Sequence, residues 1–202
     1  MKKIISLILI ISMLSLGFCF AEESKFTDVQ TEHWAYQYID FLTSQGIING
    51  MGDGTFQPEA TLTRGQYIKL VISTILSQSV NLDEIDTDFD HWAAPYVRLA
   101  EEYNVISEGS VTLDNVDEPI SRLEMVRIVA LADLNILKTD LERDDSIINF
   151  SDTKNISNMD ELLLIQAVSR GLVNGYTDGT FRPDGYMTRA EASAIIYRFY
   201  WL

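Results

Sequence analysis

Apolar residues recur at helical spacing in two kinds of stretch, and the two kinds alternate three times along the chain. The first kind runs through Trp34, Tyr38-Ile39 and Leu42, then Trp92, Tyr96-Val97 and Ala100, then Met159, Leu162-Leu163 and Gln166-Ala167. Spacings of three and four put each set on one face of a helix. Each pattern ends twelve residues on, at Gly46, Asn104 and Gly171, residue types that readily take the left-handed conformation closing a helix. A β-like pair follows (Ile47-Ile48, Val105-Ile106, Leu172-Val173), too short for a free-standing sheet. The second kind carries the stripe Tyr67-Ile68, Val71-Ile72, Ile75-Leu76, repeated as Ala192, Ile195-Ile196, Phe199-Tyr200 and less cleanly as Met125-Val126, Val129-Ala130, Asp133-Leu134. Such a stripe predicts one buried face.

Every second helix opens on the same signal: Thr63-Arg64-Gly65-Gln66, Ser121-Arg122-Leu123-Glu124 and Thr188-Arg189-Ala190-Glu191. A hydroxyl residue followed three positions later by Glu or Gln is a capping box, which satisfies orphan N–H groups at a helix start. Arg always stands second, where a cation opposes the helix dipole at a cost of about 0.3–1 kcal/mol. Three arginines kept there point to an anionic partner, a neighbouring carboxylate or a ligand.

Units one and two superpose with a shift of 58 residues, which pairs His33-Trp34-Ala35 with His91-Trp92-Ala93. The third stands 67 residues further on and places Met159 at the Trp position; its extra residues fall at the charged stretch 138–146, which reads as a surface linker. Between the helices of units one and three lies a glycine-rich loop, Gly50-Met51-Gly52-Asp53-Gly54-Thr55-Phe56-Gln57-Pro58 and Gly175-Tyr176-Thr177-Asp178-Gly179-Thr180-Phe181-Arg182-Pro183. Asp-Gly supplies a turn with positive φ, and the Phe can anchor the loop in the core. Unit two has Glu108-Gly109-Ser110-Val111-Thr112-Leu113 instead, which predicts another loop shape. Three like units, each marginal alone, can bury their second helices together about a pseudo-threefold axis.

Residues 1–21 are a separate object: Met1-Lys2-Lys3, an apolar run from Ile4 to Phe20, then Ala21 before Glu22-Glu23. This reads as a secretory signal peptide cut after Ala21. Cleavage removes Cys19, the only cysteine, and takes the formal charge from −15 to −17 because the leader carries two lysines and no acid. The mature chain then relies on its own core rather than a disulfide. A surface so acidic repels polyphosphate, so neither nucleic acid nor, after signal cleavage, an anionic membrane is an expected partner.

The ordered motifs Phe26-Thr27-Asp28, His33-Trp34-Ala35, Gly46-Ile47-Ile48-Asn49-Gly50, Gly52-Asp53-Gly54-Thr55-Phe56-Gln57-Pro58 and Thr63-Arg64 closely resemble the S-layer homology (SLH) repeat of bacterial cell-surface proteins. Phe150-Ser151-Asp152, Gly171-Leu172-Val173-Asn174-Gly175 and Thr188-Arg189-Ala190-Glu191 repeat the resemblance in unit three. The resemblance implies a mainly α fold: three helix–loop–helix repeats (22–81, 82–146 with the linker, 147–202) forming a pseudo-threefold prism around a central three-helix bundle. It implies a secreted, non-catalytic module of the cell wall or S-layer surface that binds secondary cell-wall polysaccharide, at pyruvylated sugars, in grooves between repeats. Arg64, Arg122 and Arg189 would then pair with the acidic ketal. Trp34, Trp92 and loop residues Gly50, Gly52, Gly175 and Gly179 would form groove walls. A helix N-terminus beside an arginine is a compatible carboxylate site. The loop of unit two, Met159, and Gly65-Gln66 in place of the usual Ala-Glu depart from the family pattern, so fewer than three equivalent sites are expected.

Other roles compete for the same residues. Trp34 and Trp92 begin amphipathic helices, where an aromatic belongs in the core as readily as on a groove wall. Asp28, Asp86 and Asp152 either cap those helices or pair with arginines of an adjoining repeat. Asp53 and Asp178 each stand alone in a loop, too few oxygens for calcium. No Cys or third His completes a transition-metal set with His33 and His91, so neither metal nor cofactor is expected. No nucleophile elbow, triad or singled-out carboxylate pair marks an enzyme. Against the glycan reading stands a protein–protein module of an envelope complex, with other surface proteins as partners.

Overall fold

The computed structural model describes residues 24–76 and 80–202. The leader expected at 1–21 lies outside the described residues. The fold is mainly α: α1 (Tyr36–Ser44), α2 (Arg64–Leu76), α3 (Ala94–Glu102), α4 (Arg122–Asn135), α5 (Asn158–Ser169) and α6 (Arg189–Tyr200), with 3-10 turns at Leu82–Glu84 and Asp145–Ile147.

The first helices start two residues after the tryptophans, and histidine sets that start. Nδ1 of His33 accepts from the Ala35 N–H at 3.1 Å, and Nδ1 of His91 from the Ala93 N–H at 3.2 Å. In unit three Ser157 takes over, accepting from the Asp160 N–H. The helices stop where the left-handed residues predict: Gly46, Asn104 and Gly171 have φ of 70°, 56° and 68°. The β-like pairs behind them form no strands. Instead the Ile47, Val105 and Leu172 N–H groups return to helix carbonyls of Leu42, Ala100 and Ala167, and Ile48, Val105, Leu172 and Val173 enter the core.

All three capping boxes are formed. Ser121 and Thr188 accept from the N–H groups of Glu124 and Glu191, whose carboxylates accept in return; Gln66 and Thr63 exchange the same pair of bonds. The residues just before them lock the units into a ring. The Leu62 N–H donates to Met187 O, Met187 to Ile120 O and Ile120 to Leu62 O, at 3.0–3.3 Å. Isolated bridges Thr61–Thr188, Thr63–Pro119 and Ser121–Tyr186 surround this ring. The helices follow the same cyclic order: α1 packs on α6, α3 on α2 and α5 on α4, while α2 also meets α4 and α6.

The inner stripes of α2, α4 and α6 are buried through their first turns, including Tyr67, Met125 and Ala192 at one equivalent position, whereas at the helix ends Ile75 and Leu134 are half-buried and Tyr200 is exposed. Large, medium and small side chains there share one interior, which a close-packed core requires. The Tyr67 hydroxyl is buried with no hydrogen-bond partner, and burial pushes its pKa upward. Tyr67→Phe is therefore expected to stabilise the fold by about 1 kcal/mol in urea unfolding, since it removes an unsatisfied buried group. A loss of stability would show that the hydroxyl is satisfied.

The stretch 138–146 lies at the surface, as expected, with Thr139 and Leu141 half-buried, and it is tethered to the helices beneath it. Asp133, fully buried on α4, accepts from the Gln166 amide at 2.6 Å and the Thr139 hydroxyl at 2.9 Å, and Gln166 in turn accepts from the Glu142 N–H. Arg170 approaches the same carboxylate at 3.3 Å. The extra residues thus close over a buried polar cluster joining α4 to α5.

Candidate functional site

The capping-box arginines are not free ends of exposed helices. The leading N–H groups of each second helix donate to loop carbonyls of another unit: Arg64 and Gly65 to Glu118 and Val116, Arg122 and Leu123 to Gly185 and Pro183, Arg189 and Ala190 to Ala60 and Pro58. The helix N-termini expected to receive a carboxylate are therefore already occupied. The side chains go the same way. Arg122, 5% exposed, donates Nε to Phe181 O and Nη2 to Asn174 O at 2.8 and 3.1 Å. Arg189, 8% exposed, donates Nε to Phe56 O and Nη2 to Asn49 O, both at 2.8 Å. Arg122 lies 4.8 Å from the Phe181 ring centroid and Arg189 4.4 Å from that of Phe56. Each arginine is thus a strut that fixes a glycine-rich loop of another unit as well as a candidate ligand group.

The aspartates neither cap the first helices nor pair with the arginines. Asp28 accepts from the Phe56 and Gln57 N–H groups at 2.8 and 2.7 Å, and Asp152 from Phe181 and Arg182, both at 2.8 Å. Burial would raise the Asp152 pKa, but the two N–H donors outweigh it and hold the carboxyl below its usual range. An Asp of the same unit and an Arg of another therefore grip opposite ends of one Phe peptide. In unit two the position equivalent to Phe56 and Phe181 is Asp114, and Asp86 is exposed and makes no such bonds.

Of the four glycines, Gly50 and Gly175 serve packing. A Cβ there would stand 2.3 and 2.1 Å from the rings of Phe26 and Phe150. Gly52 and Gly179 have φ of 88° and 80° and open space beside them, so they shape the turn and leave the loop surface accessible. Asp53 and Asp178 are used within that turn, accepting from Thr55 and Thr180.

Trp34 and Trp92 are not core residues: they are 53% and 49% exposed, and the equivalent Met159 is 62% exposed. They edge grooves between units. One groove of about 260 Å³ contains Arg189, Asn49, Gln66, Lys69 and Trp92. A second, about 170 Å³, contains Arg122, Asn174, Tyr176, Glu191, Arg198 and Trp34. The third, about 220 Å³, contains Arg64, Ser107, Glu124 and Arg127 over an apolar floor that includes Ile106 and Leu131. The sequence pattern brought Arg and Trp to these grooves but did not single out Lys69, Tyr176 or Arg127. Lys69 was legible as the residue three beyond Gln66 on the same helix face.

The grooves differ in charge. Arg64 is paired with Glu118 at 2.7 Å and Glu124 at 2.8 Å. Burial alone would lower the Arg64 pKa, and these carboxylates reverse that. Burial would likewise raise Glu124, but the Ser121 N–H and Arg64 hold it below the usual range. Arg127 forms a two-point pair with Asp160. Arg122 meets Glu191 at 3.4 Å, and Glu191 also accepts from the Tyr176 hydroxyl at 2.8 Å. Arg122 and Arg182 both lie over the Tyr176 ring, 4.7 and 3.9 Å from its centroid. Arg189 has no acidic partner within 4 Å among the described residues, because its unit-one neighbour at the capping-box position is Gln66. Burial lowers its pKa.

Among the described residues, no group of three or more His, Cys, Asp or Glu is placed to hold a metal ion, and no helix is long and apolar enough to cross a membrane. The S-layer homology domain family matches residues 25–68 and 149–193. The chain is 30% identical over 174 residues to the exoglucanase XynX of Acetivibrio thermocellus, covering 85% of this chain and 16% of that protein. It is 31% identical over 180 residues to an amylopullulanase of Thermoanaerobacterium thermosulfurigenes, covering 88% and 10%. An S-layer protein of Bacillus thuringiensis subsp. finitimus is 26% identical over 185 residues, covering 87% and 21%. The chain thus spans less than a quarter of the length of each of these relatives. The matched family, the capping-box helices and the loops they clamp agree: this chain belongs to the S-layer homology domain family through its units at 25–68 and 149–193.

Proposed function

We propose that the chain is a non-catalytic module of the cell surface that holds on to a secondary cell-wall polysaccharide, at a pyruvylated sugar, in the grooves between its units. Domains of this family anchor proteins to the cell wall. The observation that carries the finer reading is the pairing, in one groove, of a buried arginine lacking a carboxylate with a half-exposed tryptophan. A guanidinium can hold a carboxylate by charge-assisted hydrogen bonds, and an indole offers a flat apolar face to a sugar ring. The matched relatives named as polysaccharide-degrading enzymes share only this module-sized part with the chain.

Binding of the protein to purified wall sacculi is expected to survive moderate salt, because a carboxylate held inside a groove is screened less than a surface ion pair. It is expected to fall when the ketal-linked acid is removed from the walls. Equal retention on intact and de-pyruvylated walls would reject the acidic-sugar reading. It would favour a protein–protein module of an envelope complex, a reading supported by Arg64 and Arg122, whose charges meet carboxylates of the chain itself.

A further inference from the structure

We propose that only one of the three grooves, the one containing Arg189, Lys69 and Gln66, binds an anion in this chain, and that Gln66 and Lys69 are the residues that select it. The inference rests on the glycan reading above. Its basis is a comparison of equivalent positions, since each groove takes an arginine from one unit, a capping-box residue three positions into another unit's second helix, and the residue three further on.

In the Arg189 groove these last two are Gln66 and Lys69. Among the described residues, Nη1 of Arg189 has no hydrogen-bond partner, and neither has the Gln66 amide nitrogen. Lys69 makes no ion pair; its ammonium lies 5.7 Å from the Trp92 ring centroid and 5.8 Å from that of Tyr96. The groove therefore gathers two cations and an amide donor with no carboxylate, beside an exposed indole. Asp28 acts on the Arg189 charge from outside the groove, across the Phe56 peptide, but does not pair with it, and a buried guanidinium without a paired carboxylate favours an anion that joins it.

The equivalents elsewhere set a carboxylate against the arginine. Glu124 neutralises Arg64, and Arg127 at the Lys69 position is spent on Asp160. Glu191 faces Arg122, and the Lys69 equivalent is the buried Ala194. An incoming carboxylate would have to displace or approach a fixed carboxylate in both places, a like-charge juxtaposition that disfavours binding. Gln66, which reads in the sequence as a departure from the family, is thus the substitution that leaves one arginine available. Because Gln accepts from the Thr63 N–H as Glu does from Ser121 and Thr188, the helix cap is kept while the charge is removed.

The test is calorimetric titration of the chain with a defined pyruvylated disaccharide, next to sacculus pulldown. One equivalent is expected. Gln66→Glu and Lys69→Met are each expected to weaken it at least about tenfold with unchanged melting, and Trp92→Ala to weaken it while the equivalent Trp34→Ala does not. Two or more equal sites, an undiminished affinity in Gln66→Glu, or equal losses from Trp34→Ala and Trp92→Ala would overturn the assignment. Sacculus binding without disaccharide binding would overturn the anion site and leave wall anchoring standing. No sacculus binding at all would overturn the anchoring reading itself, and this inference with it.

Discussion

Arg122→Ala is expected to lower the free energy of unfolding by about 3–5 kcal/mol, the scale on which a buried charged network loses its central partner. Among the described residues the guanidinium is the only group that reaches from α4 to both the Asn174 and the Phe181 carbonyls, and it lies against both the Tyr176 and the Phe181 rings. Alanine would leave two carbonyls without their donor, Glu191 without its cation, and a void against two aromatic rings. Arg122→Lys is expected to recover only part of the loss, since an ammonium cannot serve two diverging carbonyls while stacking flat on a ring. Arg64→Ala offers the contrast. Its partner Glu118 is mostly exposed and Glu124 remains capped by Ser121, so a loss of about 1 kcal/mol is expected. Urea unfolding followed by circular dichroism separates the two; equal small losses would show that Arg122 is not a strut.

What the sequence revealed and what it hid divide along a physical line. Contacts closed within a few residues were legible. The capping boxes at Thr63, Ser121 and Thr188, the left-handed stops at Gly46, Asn104 and Gly171, and the loop-anchoring Phe56 and Phe181 follow from local backbone chemistry. Contacts that depend on the cyclic order of the units were not. Nothing in Thr188-Arg189 says that its arginine lands under the Asn49–Phe56 loop, well over a hundred residues earlier in the chain. The same blindness misplaced the aspartates: Asp28 and Asp152 precede the first helix of their units by eight and six residues, but they reach forward to the loop that the arginine holds from its other side. The tryptophans read in the sequence as the openings of amphipathic helices, but those helices begin two residues later, at Tyr36 and Ala94, and the indoles stay outside the packed face. Groove charge was hidden as well, because it is set by which unit's residue 66, 124 or 191 faces which arginine.

Gly175→Ala is expected to destabilise the protein by about 2–3 kcal/mol, a typical cost of forcing extra volume into a packed site. An added Cβ would stand 2.1 Å from Cε1 and 2.7 Å from Cδ1 of Phe150, and 3.0 Å from the Thr180 carbonyl oxygen. The ring has little room to yield, since it packs 5.5 Å from the centroid of the fully buried Phe181, whose own peptide is fixed by Asp152 and Arg122. The methyl group would therefore push on the junction between units two and three rather than on a loose loop. Gly50→Ala should behave alike, with 2.3 Å to Phe26 and 2.7 Å to the Thr55 carbonyl oxygen. Gly52→Ala meets nothing within 4 Å and carries only the strain of a positive φ, for which about 1 kcal/mol is expected. In thermal melts the first two should fall by roughly 4–10 °C and the third by a few degrees. If Gly175→Ala melts with the unmodified protein, the Phe150 ring is not seated against residue 175, and that glycine is free to act as groove surface after all.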